Sequence, residues 1–170
     1  MASLHNGMSL PIGTILPYVG KKEIAANLHS QGWLLCDGRP CSIKDQAALY
    51  RTIGNAFGGD DNKTFYLPDL RGMFLRGVDD GAGVDPDAAS RTEQRANGNV
   101  GDSVGTRQAH QLESHAHGYS HLGTDSYELP RQGGGFNPYH IYSSQSTEFY
   151  GGTETRPVNA SVYYLIFAGR

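Results

Sequence analysis

The chain has 170 residues, enough for one domain with an apolar core, and a formal net charge of -3. We expect a soluble protein without membrane insertion, because no run approaches the roughly 18 apolar residues of a membrane helix. Residues 1–9 form an N-terminal extension without the features of a signal peptide. No cluster of Lys and Arg is present, so nucleic acid is not an expected partner. The 23 glycines and 10 tyrosines favour a β-rich, loop-heavy architecture.

The first two predicted strands lie near the N-terminus. Residues 12–18 include several β-branched residues, which favour a strand. They also include Pro17, which lacks an N–H group and therefore suits an edge strand. Residues 32–38 predict a strand that runs into a turn. Cys36 and Cys41 flank this turn, and their proximity allows a disulfide. We favour two free thiols, with Cys36 as a small buried hydrophobic residue.

One short helix is predicted, beginning at residue 43 after Ser42 as its N-cap and ending at Gly54. Its apolar face consists of four residues at helical spacing: Ile43, Ala47, Tyr50 and Ile53. A polar turn over residues 60–63 and a strand over residues 64–67, ended by Pro68, follow.

Residues 78–108 contain few large apolar side chains and predict a long loop that needs external support. Either intertwining with partner chains or packing against the preceding domain would supply this support. Ser103 lies in a G-x-S-x-G pattern, but the preceding residues do not predict the buried strand that a nucleophile elbow needs. Six aspartates have turn-like contexts and nominate no catalytic pair. They are Asp60, Asp61, Asp79, Asp80, Asp85 and Asp87.

A tyrosine-rich segment over residues 118–152 precedes the last predicted element. Its composition fits either a recognition surface or a flexible glycine-rich loop, since tyrosine gives a broad amphipathic contact area. The candidate receptor-binding residues are Tyr119, Tyr127, Tyr139, Tyr142 and Tyr150. Residues 162–168 predict a core strand that is apolar on both faces and closes the fold.

His115 and His117 are separated by one residue, so both imidazoles point to the same side of an extended strand. Two exposed histidines on a loop are one interpretation of this spacing. A metal site is the other, and two ligands are too few for it, so further ligands must come from elsewhere; three copies of the chain around a threefold axis would supply them. A catalytic centre would instead need a third histidine of this chain and an acid or base such as Glu113. The available histidines are His110, His121 and His140.

Three motifs in the first half of the chain resemble the signature of the phage tail collar domain family. They are residues 32–38 (GWLLCDG), 57–59 (FGG) and 65–72 (FYLPDLRG), and they occur in the family's order. The resemblance covers residues 10–77. Further motifs resemble tail-fibre proteins, including the short tail fibres of T-even phages. They are Arg76, Gly77, residues 85–88, Arg91, Val104, Gly105, residues 114–117, residues 154–157 and Asn159.

The resemblance implies an α+β, β-rich protein: a collar-type domain with one short helix over residues 10–77, followed by a loop-rich, intertwined trimeric fibre tip. A glycine-rich connecting region over 78–109, a tip over 110–152 and a closing strand over 153–170 complete the expected organisation. His115 and His117 of three chains would hold one axial structural metal ion, Fe²⁺ or Zn²⁺, with no open position for a substrate.

The implied function is non-enzymatic attachment. The expected partners are the chain itself as a homotrimer, other tail proteins, and a bacterial outer-membrane receptor or surface glycan such as lipopolysaccharide. The expected location is the tail fibre or tail tip of a virion, made in the bacterial cytoplasm. A structural collar or baseplate connector and a tailspike-like polysaccharide-degrading enzyme are the alternatives.

Overall fold

The computed structural model describes residues 10–60, 62–112 and 154–169, whose fold combines short strands with two α-helices. The elements in chain order are β1 (Ile15–Tyr18), α1 (Lys22–Asn27), β2 (Trp33–Leu35), β3 (Pro40–Ser42), α2 (Ala47–Ile53), β4 (Thr64–Tyr66), β5 (Thr92–Glu93), β6 (Thr106–Arg107) and β7 (Tyr163–Phe167). Single 3₁₀ turns occupy Leu28–Gln31 and Ala88–Ser90. Neither described helix is long and apolar enough to cross a membrane. The mixed, strand-rich fold class is as predicted.

The chain divides into two compact units. The first contains Met1–Ala109 and Val158–Arg170, and the second contains His110–Pro157. All the elements above belong to the first unit. In the described part of the second unit, Arg156 donates a hydrogen bond from Nη1 to the carboxylate of Glu154 at 3.2 Å.

The C-terminal strand β7 is the centre of a three-stranded antiparallel sheet in the order β1-β7-β2. Leu165 lies opposite Leu16 of β1 and Leu35 of β2. Pro17 is in β1 at the edge, where its missing N–H breaks no ladder, so the predicted edge strand is confirmed. The predicted core strand near the C-terminus is confirmed as well, because β7 is paired on both sides.

The sheet buries apolar residues on both faces. Ile166 packs into the main core, whereas Leu165 packs on the other face with Ala25 of α1. The main core is completed by α2 and the antiparallel strand pair β3-β4, which supply the fully buried side chains of Leu49 and Phe65. The first unit therefore brings β1 and β7, from near opposite ends of the described chain, together between two apolar clusters.

The sequence predicted one helix that begins at residue 43, and both the number of helices and the starting residue are wrong. The described residues contain a second α-helix, α1, and α2 begins at Ala47 instead of residue 43. The N–H of Ile43 donates to the Lys63 carbonyl at 2.9 Å, which extends the antiparallel pairing of β3 with β4 and competes with helix formation. Ser42 still accepts a hydrogen bond from the Asp45 N–H through its side chain, but in a turn.

The predicted apolar face of this helix is partly wrong. Ala47 is exposed, and Leu49, absent from the predicted face, is fully buried. Tyr50 and Ile53 pack against the core as predicted. The helix ends at Gly54, which confirms the predicted C-terminus.

Candidate functional site

A groove lined by three arginines lies on the described surface of the first unit. Its volume is about 460 Å³. The lining residues are Asp69, Arg71, Met73, Gln94, Arg95 and Arg107. We call this feature the arginine groove.

Two distant segments of the chain meet at the arginine groove. Asp69 and Arg71 follow β4 after the strand-ending Pro68, and Gln94 and Arg95 follow β5. The Asp69 N–H donates to Oε1 of Gln94 at 3.1 Å, which ties the two segments together.

A glycine allows the second segment to approach the collar-like region. Gly58 has a φ of +104°, and a Cβ at this position would lie 2.7 Å from the Cβ of Arg95. The N–H of the adjacent Gly59 donates to the Ala96 carbonyl. The FGG sequence therefore packs directly against the connecting region.

Asp69 is the carboxylate of the arginine groove and forms a bidentate ion pair with Arg71. Nε and Nη2 of Arg71 donate to its two oxygens at 2.7 and 2.6 Å. These hydrogen bonds, followed by the positive charges of Arg71 and Arg95, lower the pKa of Asp69 from its ordinary value, and the pKa of Arg71 is raised in return. Arg95 lies 3.8 Å from Asp69 and stacks over the Tyr66 ring at 4.8 Å.

A second cluster surrounds Asp85, which is buried and not simply a turn former as predicted. Its carboxylate is 3.1 Å from Nη1 of Arg91 and 3.3 Å from Nη2 of Arg76. Arg91 also donates to Oγ1 of Thr106 and Oε1 of Gln108, both at 2.9 Å. This network connects both ends of residues 76–108, so packing within the first unit supplies support for the predicted long loop.

Two other aspartates, Asp60 and Asp79, accept hydrogen bonds from backbone N–H groups, as predicted for turn residues. Oδ1 of Asp60 accepts hydrogen bonds from three successive N–H groups of the following turn. Asp79 accepts three more from residues 83–85. These backbone hydrogen bonds lower the pKa values of both carboxyl groups. Within residues 10–60, 62–112 and 154–169, no group of three or more potential ligands is placed to hold a metal ion.

The two cysteines and Ser103 are among the described residues. Cys36 and Cys41 are free thiols, as predicted, and burial raises the pKa of Cys36 to about 12. Ser103 lies in a loop that no buried strand precedes, so the G-x-S-x-G pattern lacks the context of a nucleophile elbow.

The predicted metal and receptor residues lie outside the described residues. They are His115, His117, Tyr119, Tyr127, Tyr139, Tyr142 and Tyr150. His110 is described and exposed. The arginine groove was not predicted from the sequence. Its signal was the acid-base pair Asp69 and Arg71 within the FYLPDLRG motif, directly after a strand.

Comparison with known proteins identifies the first half of the chain. Residues 13–75 match the Phage Tail Collar Domain. The chain therefore contains a phage tail collar domain, and the predicted resemblance is confirmed.

Three relatives extend the similarity beyond the collar domain. Protein RhiB of Rhizobium leguminosarum bv. viciae is 39% identical over an alignment that covers 82% of this chain and 65% of RhiB. The putative uncharacterized protein StfE of Escherichia coli K12 is 32% identical, over 68% of this chain and 48% of StfE. The short tail fiber protein gp12 of Enterobacteria phage T4 is 25% identical, over 93% of this chain and 35% of gp12. The chain spans less than two thirds of each relative's own length, and these similarities support a relationship to phage tail-fibre proteins.

Proposed function

We propose that this chain forms the tip of a tail fibre, in a phage or a phage-derived particle, and attaches it to a receptor on the bacterial envelope without catalysing a reaction. The observation that carries this proposal is the combination of the collar domain with the similarity to a short tail fiber protein over 93% of the chain. The receptor is a surface glycan such as lipopolysaccharide, and other tail proteins hold the opposite end of the fibre.

The proposed assembly is a homotrimer with a metal ion on its axis. His115 and His117 supply two imidazoles per chain, and three chains supply the six donors of an octahedral ion. Such an ion has no free position for a substrate, so its role is structural. Because it binds only the assembled trimer, the ion, Fe²⁺ or Zn²⁺, stabilises the trimer by mass action.

Replacing His117 with alanine is expected to abolish metal binding and weaken the trimer, because three of six donors are lost. Elemental analysis of the unsubstituted full chain should find about one ion per three chains, whereas H117A should hold none. Sedimentation should show partial dissociation of the H117A trimer. The matched control is H29A, since His29 is exposed in the first unit. Metal-free trimers, or one ion per chain, would contradict the axial site.

The double substitution of Tyr139 and Tyr142 by alanine is expected to reduce cell binding by about tenfold or more, because each trimer loses three contact sites and multivalency amplifies the loss. Binding of fluorescently labelled protein to intact Gram-negative cells and to purified lipopolysaccharide measures the effect. Phe74→Ala is the control, since this aromatic side chain is 62% exposed in the first unit.

Three outcomes of this experiment would contradict the proposal. Unchanged binding of the double variant places receptor recognition outside these tyrosines. Binding to tail particles but not to cells identifies a connector. Release of reducing sugar ends from the polysaccharide identifies an enzyme.

A further inference from the structure

We propose that the arginine groove is a second binding site, formed by the collar domain and the connecting region together, for a sugar that carries an anionic group, either a phosphate or a carboxylate. The site is separate from the tyrosine-rich segment over residues 118–152. It therefore goes beyond the proposed tip function, and its test does not depend on the outcome there.

The charge of the groove opposes the charge of the chain. The whole sequence has 14 basic and 17 acidic residues, yet the groove contains three guanidinium groups and one carboxylate. A local excess of positive charge attracts anions, and the planar guanidinium matches the geometry of carboxylate and phosphate oxygens.

The arginines of the groove have hydrogen-bond donors to offer a ligand. Asp69 occupies Nε and Nη2 of Arg71, but the contact between Asp69 and Arg95 is longer, at 3.8 Å. Among the described residues, the Arg107 guanidinium has no carboxylate within 4.0 Å and no hydrogen-bond acceptor. Arg71 and Arg95 have side chains that are 68% and 41% exposed. An incoming anion therefore does not have to displace all the existing ion pairs.

The position of Arg95 is fixed before any ligand arrives. Its guanidinium stacks over the Tyr66 ring, and its backbone packs against Gly58. A Cβ on Gly38 would lie 2.9 Å from Nη2 of Arg95 and 2.7 Å from Oδ2 of Asp69, so glycine keeps this space open. All three collar motifs thus pre-organise the groove, which lowers the entropy cost of binding.

The surroundings of the groove favour a sugar over a bare anion. A second cavity of about 590 Å³ adjoins it and shares Gln94 and Arg95. Asn97 and Thr64 also line this cavity, and Asn97 donates through Nδ2 to the Gly59 carbonyl, which leaves its Oδ1 as an acceptor. Amide and hydroxyl groups next to arginines are suited to the hydroxyl groups of an acidic sugar.

The test is calorimetric titration of the full chain with glucose 6-phosphate, glucuronate, neutral glucose and inorganic phosphate. We expect one or both acidic sugars to bind more tightly than glucose and inorganic phosphate. Preference for glucose 6-phosphate identifies a phosphate group, and preference for glucuronate identifies a carboxylate. Neutral glucose binding equally well would overturn the proposal, and so would inorganic phosphate binding as tightly as the best sugar.

Arg107→Gln should weaken binding of the acidic sugar about tenfold, because one charge-assisted hydrogen bond is lost. Arg107→Lys should give a smaller loss, since it keeps the charge but not the planar group. Arg51→Gln is the control, an exposed arginine of α2 that does not line the groove. Equal affinities of the wild-type chain and folded R107Q, verified by circular dichroism, would contradict the assignment.

Discussion

Substitution of Asp85 by alanine is expected to lower the free energy of unfolding by about 3 to 5 kcal/mol, the range found when one partner of a buried ion pair is removed. The Asp85 side chain is 5% exposed and the Arg91 side chain 14% exposed, so alanine leaves a nearly buried guanidinium without its carboxylate. Thr106 and Gln108 accept hydrogen bonds from the Arg91 guanidinium, but neither neutralises its charge. Chemical denaturation followed through the fluorescence of Trp33, the single tryptophan of the chain, measures the loss.

The control for this prediction is Asp87→Ala, two residues along the chain. It makes the same change in charge at an exposed position and should alter the free energy of unfolding by less than about 0.5 kcal/mol. Arg76→Ala should fall between the two, because the Arg76 side chain is 48% exposed. Similar effects of D85A and D87A would show that burial of the carboxylate is not what stabilises residues 76–108.

The strands of the first unit were predictable where a local signal marks their ends. Pro17 indicated an edge strand, Pro68 a strand end and Gly54 a helix end, and all three predictions agree with the structure. These residues act through their own backbone geometry, with no contribution from distant parts of the chain. The aromatic and β-branched residues of β7 likewise predicted a core strand, because both faces are apolar.

The helices were predicted less well because tertiary contacts decide them. Among the α1 side chains that the structure describes, Ala25 is the one buried in the second core cluster, while Ile24 is 51% exposed, so this short helix shows no helical periodicity of apolar residues. The start of α2 depends on the hydrogen bond from the Ile43 N–H to the Lys63 carbonyl, beside the β3-β4 strand pair. The local sequence around residue 43 does not reveal that strand pairing competes with helix formation there.

The two charged clusters depend on contacts between residues far apart in sequence. Asp69 meets Gln94 across 25 positions, and Arg91 meets Thr106 across 15. The sequence identified Asp85 only as a turn residue because its burial depends on Arg76 and Arg91 closing over it. The role of His115 and His117 stays a prediction, since both lie outside the described residues.

Substitution of Gly105 by alanine is expected to destabilise the first unit by about 3 kcal/mol or more, for two separate reasons. Gly105 has a φ of +94°, which costs an L-residue about 1 to 2 kcal/mol. In addition, an added Cβ would collide with the Ala56 carbonyl oxygen, which accepts a hydrogen bond from the Asn99 N–H at 3.1 Å. Relief of the collision therefore requires the connecting region to move away from the collar domain.

Gly83→Ala separates these two contributions. Gly83 has a φ of +73° but nothing within 4 Å of an added Cβ, so it should lose only the conformational term of about 1 to 2 kcal/mol. Hydrogen exchange at the Asn99 amide gives an independent measurement, because G105A should lose protection there and G83A should keep it. Equal destabilisation by the two variants, with Asn99 protected in both, would mean that the close approach of Gly105 to Ala56 does not hold the connecting region in place.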